Sequence, residues 1–262
     1  MNYLDVHAHI FPHDVAVKVV SALEAYYGFR WDGTGEVDDL LASMSRMKID
    51  RCVVFSSATK PSQVEPINDY IASVVARHPD KLIGFGTLHP GYPDYRREIE
   101  RIGKLGLKGL KFHPDFQEFE MDSPSMLKIY EAAGDAMSML FHVGDPRTDF
   151  SSPRRLAHVL DELPFIKVIA AHMGGYSEWP EAWKHLIGRD LWLDISSCMH
   201  LIPASEVRKM AQSHGIDRIL FASDYPAVHH EQAVAQLNAL ELSDEDREKV
   251  AHLNAEKLLN IV

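Results

Sequence analysis

A (β/α)8 barrel is the fold class this sequence predicts, and three observations predict it. Eight short apolar runs recur along 262 residues, with helix-like segments between them. Most of those runs are near-continuous rather than alternating, as parallel strands buried on both faces require. Their C-terminal ends carry the chemistry-bearing side chains: His7, His9, His89, His113, His142, His172, Asp194 and Asp224. In a barrel those ends meet at one mouth, where active sites are built.

The runs are residues 4–10, 51–57, 82–89, 107–113, 139–144, 167–172, 191–197 and 218–224. Pro, Gly or Ser follows most of them (FHP, HVG, HMGG, SDYP), which are turn signals. Helical spacing marks 14–25, 37–47, 64–77, 124–137, 153–163 and 204–214. In 64–77, Ile67, Ile71, Val74 and Val75 share one face. Pro124 and Pro153 stand where a first helical residue tolerates proline. Ser243 with Asp246 resembles a capping box for a last helix over 244–260. Two stretches depart from a minimal barrel and make it a distorted one. Residues 26–36 (YYGFRWDGTGE) form a Gly- and aromatic-rich, lid-like insertion after the first strand. Residues 115–122 form a polar and aromatic loop after the fourth. No repeat, linker or low-complexity segment interrupts the chain, so 1–262 is expected to be a single domain.

Composition narrows the function. The formal net charge is −11, with 46% apolar and 25% charged residues. Such an acidic globular chain makes a poor binder of nucleic acid or an anionic membrane. No apolar stretch is long enough to span a bilayer. The N-terminus lacks a signal-peptide pattern, and Cys52 and Cys198 form no Cys-x-x-Cys pair. A reducing, cytoplasmic setting fits. The partner expected is a small-molecule substrate, with homo-oligomerisation left open.

The first strand ends Asp5-Val6-His7-Ala8-His9, and alternation puts His7 and His9 on one face. Two imidazoles at that spacing suit one metal ion. Alone, the pattern is a weak signal, and the plainer reading is two polar residues at a strand end. Asp224 closes the eighth strand, which lies beside the first in a closed barrel, and His142 and His172 close the fifth and sixth. Each has a plain structural alternative: a satisfied strand-end histidine, a donor to a loop carbonyl, a turn cap. Four strands converging on one point favour a bound ion or a reaction. Lys111 and His113 end the fourth strand on a common side. Lys111 reads as a buried cation paired with a carboxylate, or as a lysine carboxylated to bridge two metals. His113 reads as a supporting donor or a substrate contact, and His89 as structural. His13, His78, His158, His185, His214 and His252 are expected to be solvated. Arg147, five residues after His142, could clamp a substrate carboxylate or make a surface salt bridge. Arg30 and Trp31 sit in the lid-like stretch, and Tyr176, Trp179, Tyr225, His229 and His230 are candidate pocket walls.

DVHAHIFP, FHVG, AHMGG, ASDYP and the terminal NAEKLL together resemble the amidohydrolase superfamily, in the branch that includes aminocarboxymuconate-semialdehyde decarboxylase. The resemblance spans essentially the whole chain. It implies one divalent metal, usually zinc, with Mn2+, Fe2+ or Co2+ possible and a second ion not excluded. It implies His7, His9, His142 and Asp224 as ligands. His172, with Asp224, is implied to activate water or transfer the proton; in binuclear members His172 would be a ligand instead. Such an ion lowers the pKa of water from about 15.7 toward about 7. The leading expectation is a metal-dependent hydrolase of a small carboxylate-bearing ester, lactone or amide. The alternatives are a nonoxidative decarboxylase of an unsaturated or aromatic acid on the same site, and a non-catalytic ligand-binding barrel. No nucleophile elbow, phosphate loop or dinucleotide fingerprint competes.

Overall fold

The computed structural model describes residues 2–261. Its eight strands are β1 (Leu4–His9), β2 (Arg51–Phe55), β3 (Leu82–Gly86), β4 (Gly109–Phe112), β5 (Ser138–Phe141), β6 (Lys167–Ala170), β7 (Trp192–Asp194) and β8 (Ile219–Leu220). They pair in parallel in sequence order. Beyond β8 the sheet closes on β1: Val6 N donates to Phe221 O at 3.1 Å, Asp224 N to His7 O at 2.9 Å, and Ala8 bridges Tyr225. The result is the (β/α)8 barrel expected. Each strand is shorter than its apolar run, because the last residues of each run leave the ladder to reach the mouth.

One core fills the barrel and another surrounds it. Leu4, Val6, Val53, Phe55, Ile83, Phe85, Leu140, Ile169 and Leu220 pack together inside, joined by Leu258 and Leu259 of the last helix. The outer core lies between strands and helices. Cys52 and Cys198 are free and buried. Among the described residues, no helix is long and apolar enough to cross a membrane.

A bulge in β1 matters for the site. Asp5 is opposite Cys52 and Ala8 is opposite Val54, so Val6 and His7 together oppose Val53 alone. The extra residue breaks simple alternation. It separates Asp5 from His7, although two-residue spacing alone would place them on one face. Asp5 is buried against the helix layer, where His230 Nε2 lies 3.0 Å from its carboxylate. The same carboxylate accepts from His7 N at 2.9 Å and Ser223 N at 3.1 Å, which fixes the bulge from outside.

The helices are α1 (His13–Tyr27), α2 (Val37–Met47), α3 (Val64–Arg77), α4 (Tyr95–Lys104), the single turn α5 (Pro114–Gln117), α6 (Pro124–Ala133), α7 (Pro153–Glu162), α8 (Trp179–His185), α9 (Ala204–His214), α10 (His230–Ala239), α11 (Asp244–Glu248) and α12 (Asn254–Leu259). The expected last helix is real but interrupted. Ser243 Oγ accepts from Asp246 N at 3.1 Å, as a cap should, and a π turn over Lys249–Leu253 follows. Val250 O in that turn accepts from Phe221 N at 2.9 Å, which docks the helix on β8. Residues 28–36, between α1 and α2, are tied down by main-chain bonds: Gly33 N to Pro226 O at 3.0 Å and Phe11 N to Gly35 O at 2.8 Å.

Two histidines expected in solvent are buried. His214 places Nε2 2.9 Å from Leu191 O and accepts from Gly188 N, joining α9 to the start of β7. His252 lies in the π turn, 2.9 Å from Glu256. Position on a helix says nothing about which way a side chain faces. His89 is structural as expected, accepting from Gly91 N at 3.0 Å in the turn after β3.

Candidate metal centre

Three of the expected ligands meet at the barrel mouth. His7 Nε2 is 3.2 Å from His9 Nε2 and 3.2 Å from Asp224 Oδ1, and His9 Nε2 is 3.6 Å from Asp224 Oδ1. Metal bonds of about 2.0–2.2 Å give donor separations of roughly 3.0–3.5 Å, close to these values. Ser197 Oγ donates to the other oxygen of Asp224 at 2.6 Å, which leaves Oδ1 toward the histidines. The fourth expected ligand, His142, pairs instead with His172: His142 Nδ1 lies 3.1 Å from His172 Nε2. The two groups are neighbours, with the His7 and His172 ring centroids 5.2 Å apart.

The second nitrogen of three rings decides what the first can do. His7 Nδ1 is 2.9 Å from Asp194 Oδ2, His142 Nε2 is 3.0 Å from Gly144 O, and His172 Nδ1 is 3.2 Å from Ser196 O. A carboxylate or carbonyl oxygen only accepts, so each of those nitrogens carries the proton. His7 Nε2, His142 Nδ1 and His172 Nε2 are therefore left with lone pairs. The last two point at one another across 3.1 Å. Burial holds all three rings in the neutral form, with His142 and His172 lowered to about 3. Facing lone pairs repel unless a cation is shared between them, so this donor set fits a divalent metal.

Charge around the cluster is finely opposed. Lys111 is fully buried, with Nζ 3.2 Å from His7 Nε2 and 4.9 Å over the Phe55 ring. It makes no salt bridge among the described residues, contrary to the simple paired-cation expectation. Burial lowers its pKa against the pull of Asp224 and Asp194. Burial raises that of Asp224, opposed by the Ser197 hydroxyl and Lys111.

Aromatic side chains wall the space near these groups. Tyr27 packs on Tyr176 at 5.5 Å, Trp31 at 6.2 Å and Phe116 at 6.0 Å. Tyr176 lies 5.6 Å from the His172 ring. His113 stacks on His142 at 4.0 Å and Phe116 at 4.1 Å, with Nε2 3.3 Å from the Tyr27 hydroxyl. Arg147, the candidate carboxylate clamp, already holds a carboxylate. Its guanidinium forks onto Asp145 at 2.8 and 3.0 Å and lies 3.7 Å over the Tyr26 ring.

The amidohydrolase family model matches residues 4–261. The chain belongs to this family. It is a metal-dependent enzyme of the amidohydrolase superfamily, in the part of it that includes decarboxylases. A γ-resorcylate decarboxylase from Polaromonas sp. strain JS666 is 24% identical over 249 residues, covering 74% of this chain and 75% of the relative. An uncharacterised TIM-barrel protein from Bordetella bronchiseptica superposes with a TM-score of 0.79 at 18% identity, covering 99% of both chains. A dihydroxybenzoic acid decarboxylase from Polaromonas sp. JS666, solved with manganese and 2-nitroresorcinol, gives 0.75 at 18%, covering 99% of this chain and 97% of the other.

Within this amidohydrolase, sequence reasoning located the metal-type residues but not their supports. Asp194 was visible only as one more acid at a strand end. Asp115, with one buried oxygen lacking a hydrogen-bond partner, and Tyr27 carried no signal beyond their loops. His230 and Tyr225, candidate wall residues, lie elsewhere: His230 is buried between Asp5 and Ser43, and Tyr225 bonds Asp39 at 2.8 Å. His200, exposed and 6.3 Å from Tyr176, was not singled out at all.

Proposed function

We propose that this amidohydrolase is a nonoxidative decarboxylase of a hydroxylated aromatic acid. The observation that carries the reading is the aromatic wall of Tyr27, Trp31, Phe116 and Tyr176 beside a cluster of neutral histidines and a carboxylate. Ring faces of this kind favour a flat aromatic ligand by stacking. The printed activities of the Polaromonas relatives support the same choice over the hydrolase expected from sequence.

The residues divide the work as follows. His7 Nε2, His9 Nε2 and Asp224 Oδ1 would hold the ion, and the His142 Nδ1 lone pair, which faces His172 Nε2, is the remaining donor offered from the fifth strand. When bound, the ion supplies Lewis-acid polarisation of the substrate's oxygens. Loss of carbon dioxide replaces a C–CO2⁻ bond by C–H, so a proton must reach the ring carbon. Asp224, with Oδ1 toward His7 and its other oxygen held by the Ser197 hydroxyl, is placed to carry that proton. His172 stays neutral, donates Nδ1–H to Ser196 O, and turns its Nε2 lone pair toward His142 Nδ1 at the barrel mouth. Arg147 acts through the wall: it holds Tyr26 and Asp145 in place rather than a substrate carboxylate. Residues 28–36, with Trp31, cover the aromatic side as a fixed flank.

The test is carbon dioxide release from a panel of hydroxybenzoates by protein loaded with Mn2+ or Zn2+, with lactones and esters run in parallel. Release of carbon dioxide with the matching phenol supports the reading. Hydrolysis of lactones or esters without any carbon dioxide would overturn it and restore the hydrolase.

A further inference from the structure

Asp194 lies on β7, two strands away from His7 on β1, yet it touches two of the mouth histidines. It is fully buried, and the only titratable partner within salt-bridge distance among the described residues is His7. Its two oxygens have different partners. Oδ2 accepts from His7 Nδ1 at 2.9 Å. Oδ1 accepts from the main-chain N–H of His172 at 3.0 Å, from Ser196 N at 3.0 Å and from the Ser196 hydroxyl. The Ser196 hydroxyl in turn lies 3.0 Å from His172 Nδ1.

Each contact constrains something chemistry depends on. The Oδ2 contact places the His7 proton on Nδ1 and keeps the Nε2 lone pair toward His9 and Asp224. Buried imidazole–carboxylate pairs of this type set tautomer and ring pose and raise ligand basicity. The Oδ1 contact grips a residue in a costly conformation. His172 has φ 59° and Met173 φ 53°, in the left-handed region that side chains other than glycine rarely adopt. Such a backbone persists only where surrounding bonds over-determine it. A bond to the His172 N–H acts directly on that turn and fixes where its imidazole starts.

We propose that Asp194 is a positioning residue that sets the tautomer of His7 and the backbone pose of His172 through one carboxylate. Both of its oxygens are taken by protein donors rather than turned toward a ligand. It couples a metal ligand on the first strand to the histidine after the sixth, so loss of the carboxylate should disturb both. The proposal rests on the metal-site reading above, and its test is built to fail independently of it.

Two measurements decide it. In metal-free wild-type protein labelled with 15N-histidine, long-range 1H–15N spectra should show His7 as the Nδ1–H tautomer. This needs no variant and no metal; an Nε2–H tautomer at His7 would overturn the proposal. In Asp194→Asn, chelator-competition titration with Mn2+ and Zn2+ should show affinity reduced about 10–100-fold, with the His7 tautomer mixed or reversed. Ser196→Ala, which keeps the carboxylate, should stay within about threefold of wild type, a margin well below that loss. Equal affinity and an unchanged His7 tautomer in Asp194→Asn would sink the role of Asp194. A wild-type protein that takes up no metal would sink the metal reading instead, with the tautomer result still standing on its own.

Discussion

His172 donates from Nδ1 and points Nε2 at His142, so replacing it separates two roles. His172→Asn should lower kcat by roughly 10²–10⁴-fold, the size of a general acid–base contribution, while elemental analysis finds metal retained. Loss of the metal would make His172 a ligand. Burial also gives the neutral histidines a pH signature. His142 and His172 are lowered to about 3 in the folded protein, whereas an unfolded histidine takes its proton near 6.5. Between those values the unfolded chain binds more protons, so stability falls as pH drops from about 6.5 toward 3 and is fully present above that window. Urea midpoints of metal-free protein at pH about 7.5, 6 and 5 should decline in that order; midpoints that stay level would contradict the buried neutral state. These histidines were legible in the sequence because each follows a strand by position alone. Asp194 was not, since its work depends on a contact between residues 187 apart.

Gly144 shows what a loop contributes to the element it follows. It has φ 85°, and a Cβ there would lie 2.7 Å from both Tyr176 N and Tyr176 O. Its carbonyl also takes the His142 Nε2 proton, and its N–H donates to Ser151 O. Gly144→Ala should therefore cost about 1–3 kcal/mol and push the Tyr176 wall outward. Thermal melts should show a lower Tm, and KM should rise for an aromatic substrate. An unchanged Tm would mean the loop after β6 can yield. The strands were readable because their buried apolar runs are long compared with the turns between them. Helix α4 was harder: YRREIERIGK buries only Ile99 and Ile102 among its apolar residues, too few to set a period. The π turn was invisible, because its Val250 O meets the Phe221 N–H just after β8, a contact between residues far apart in sequence.

At the scale of the whole molecule, the metal centre ties the two sides of the barrel seam together. His7 and His9 come from β1, while Asp224 follows β8 and meets β1 through main-chain bonds. An ion bound only by the folded protein adds RT ln(1 + [L]/Kd), about 2.7 kcal/mol at a hundredfold excess over Kd. Chelation should lower the Tm, readdition of Mn2+ or Zn2+ should restore it in a concentration-dependent way, and His7→Ala should respond to neither. A His7→Ala variant that gains the same stabilisation would place the ion elsewhere. The barrel order and closure were foreseeable from eight strand-like runs, whereas the irregularity in β1 was not, because alternating sequence looks the same with or without an extra residue. That irregularity makes β1 a reading frame. With Val6 and His7 sharing one partner on β2, the bulge absorbs one extra residue, so deleting Val6 would leave a regular ladder with Ala8 and His9 still opposite Val54 and Phe55. A residue inserted between Ala8 and His9 has no such slack and would turn His9 toward the helices. That insertion should abolish metal uptake even with every histidine still present, whereas deletion of Val6 should keep His9 facing the mouth.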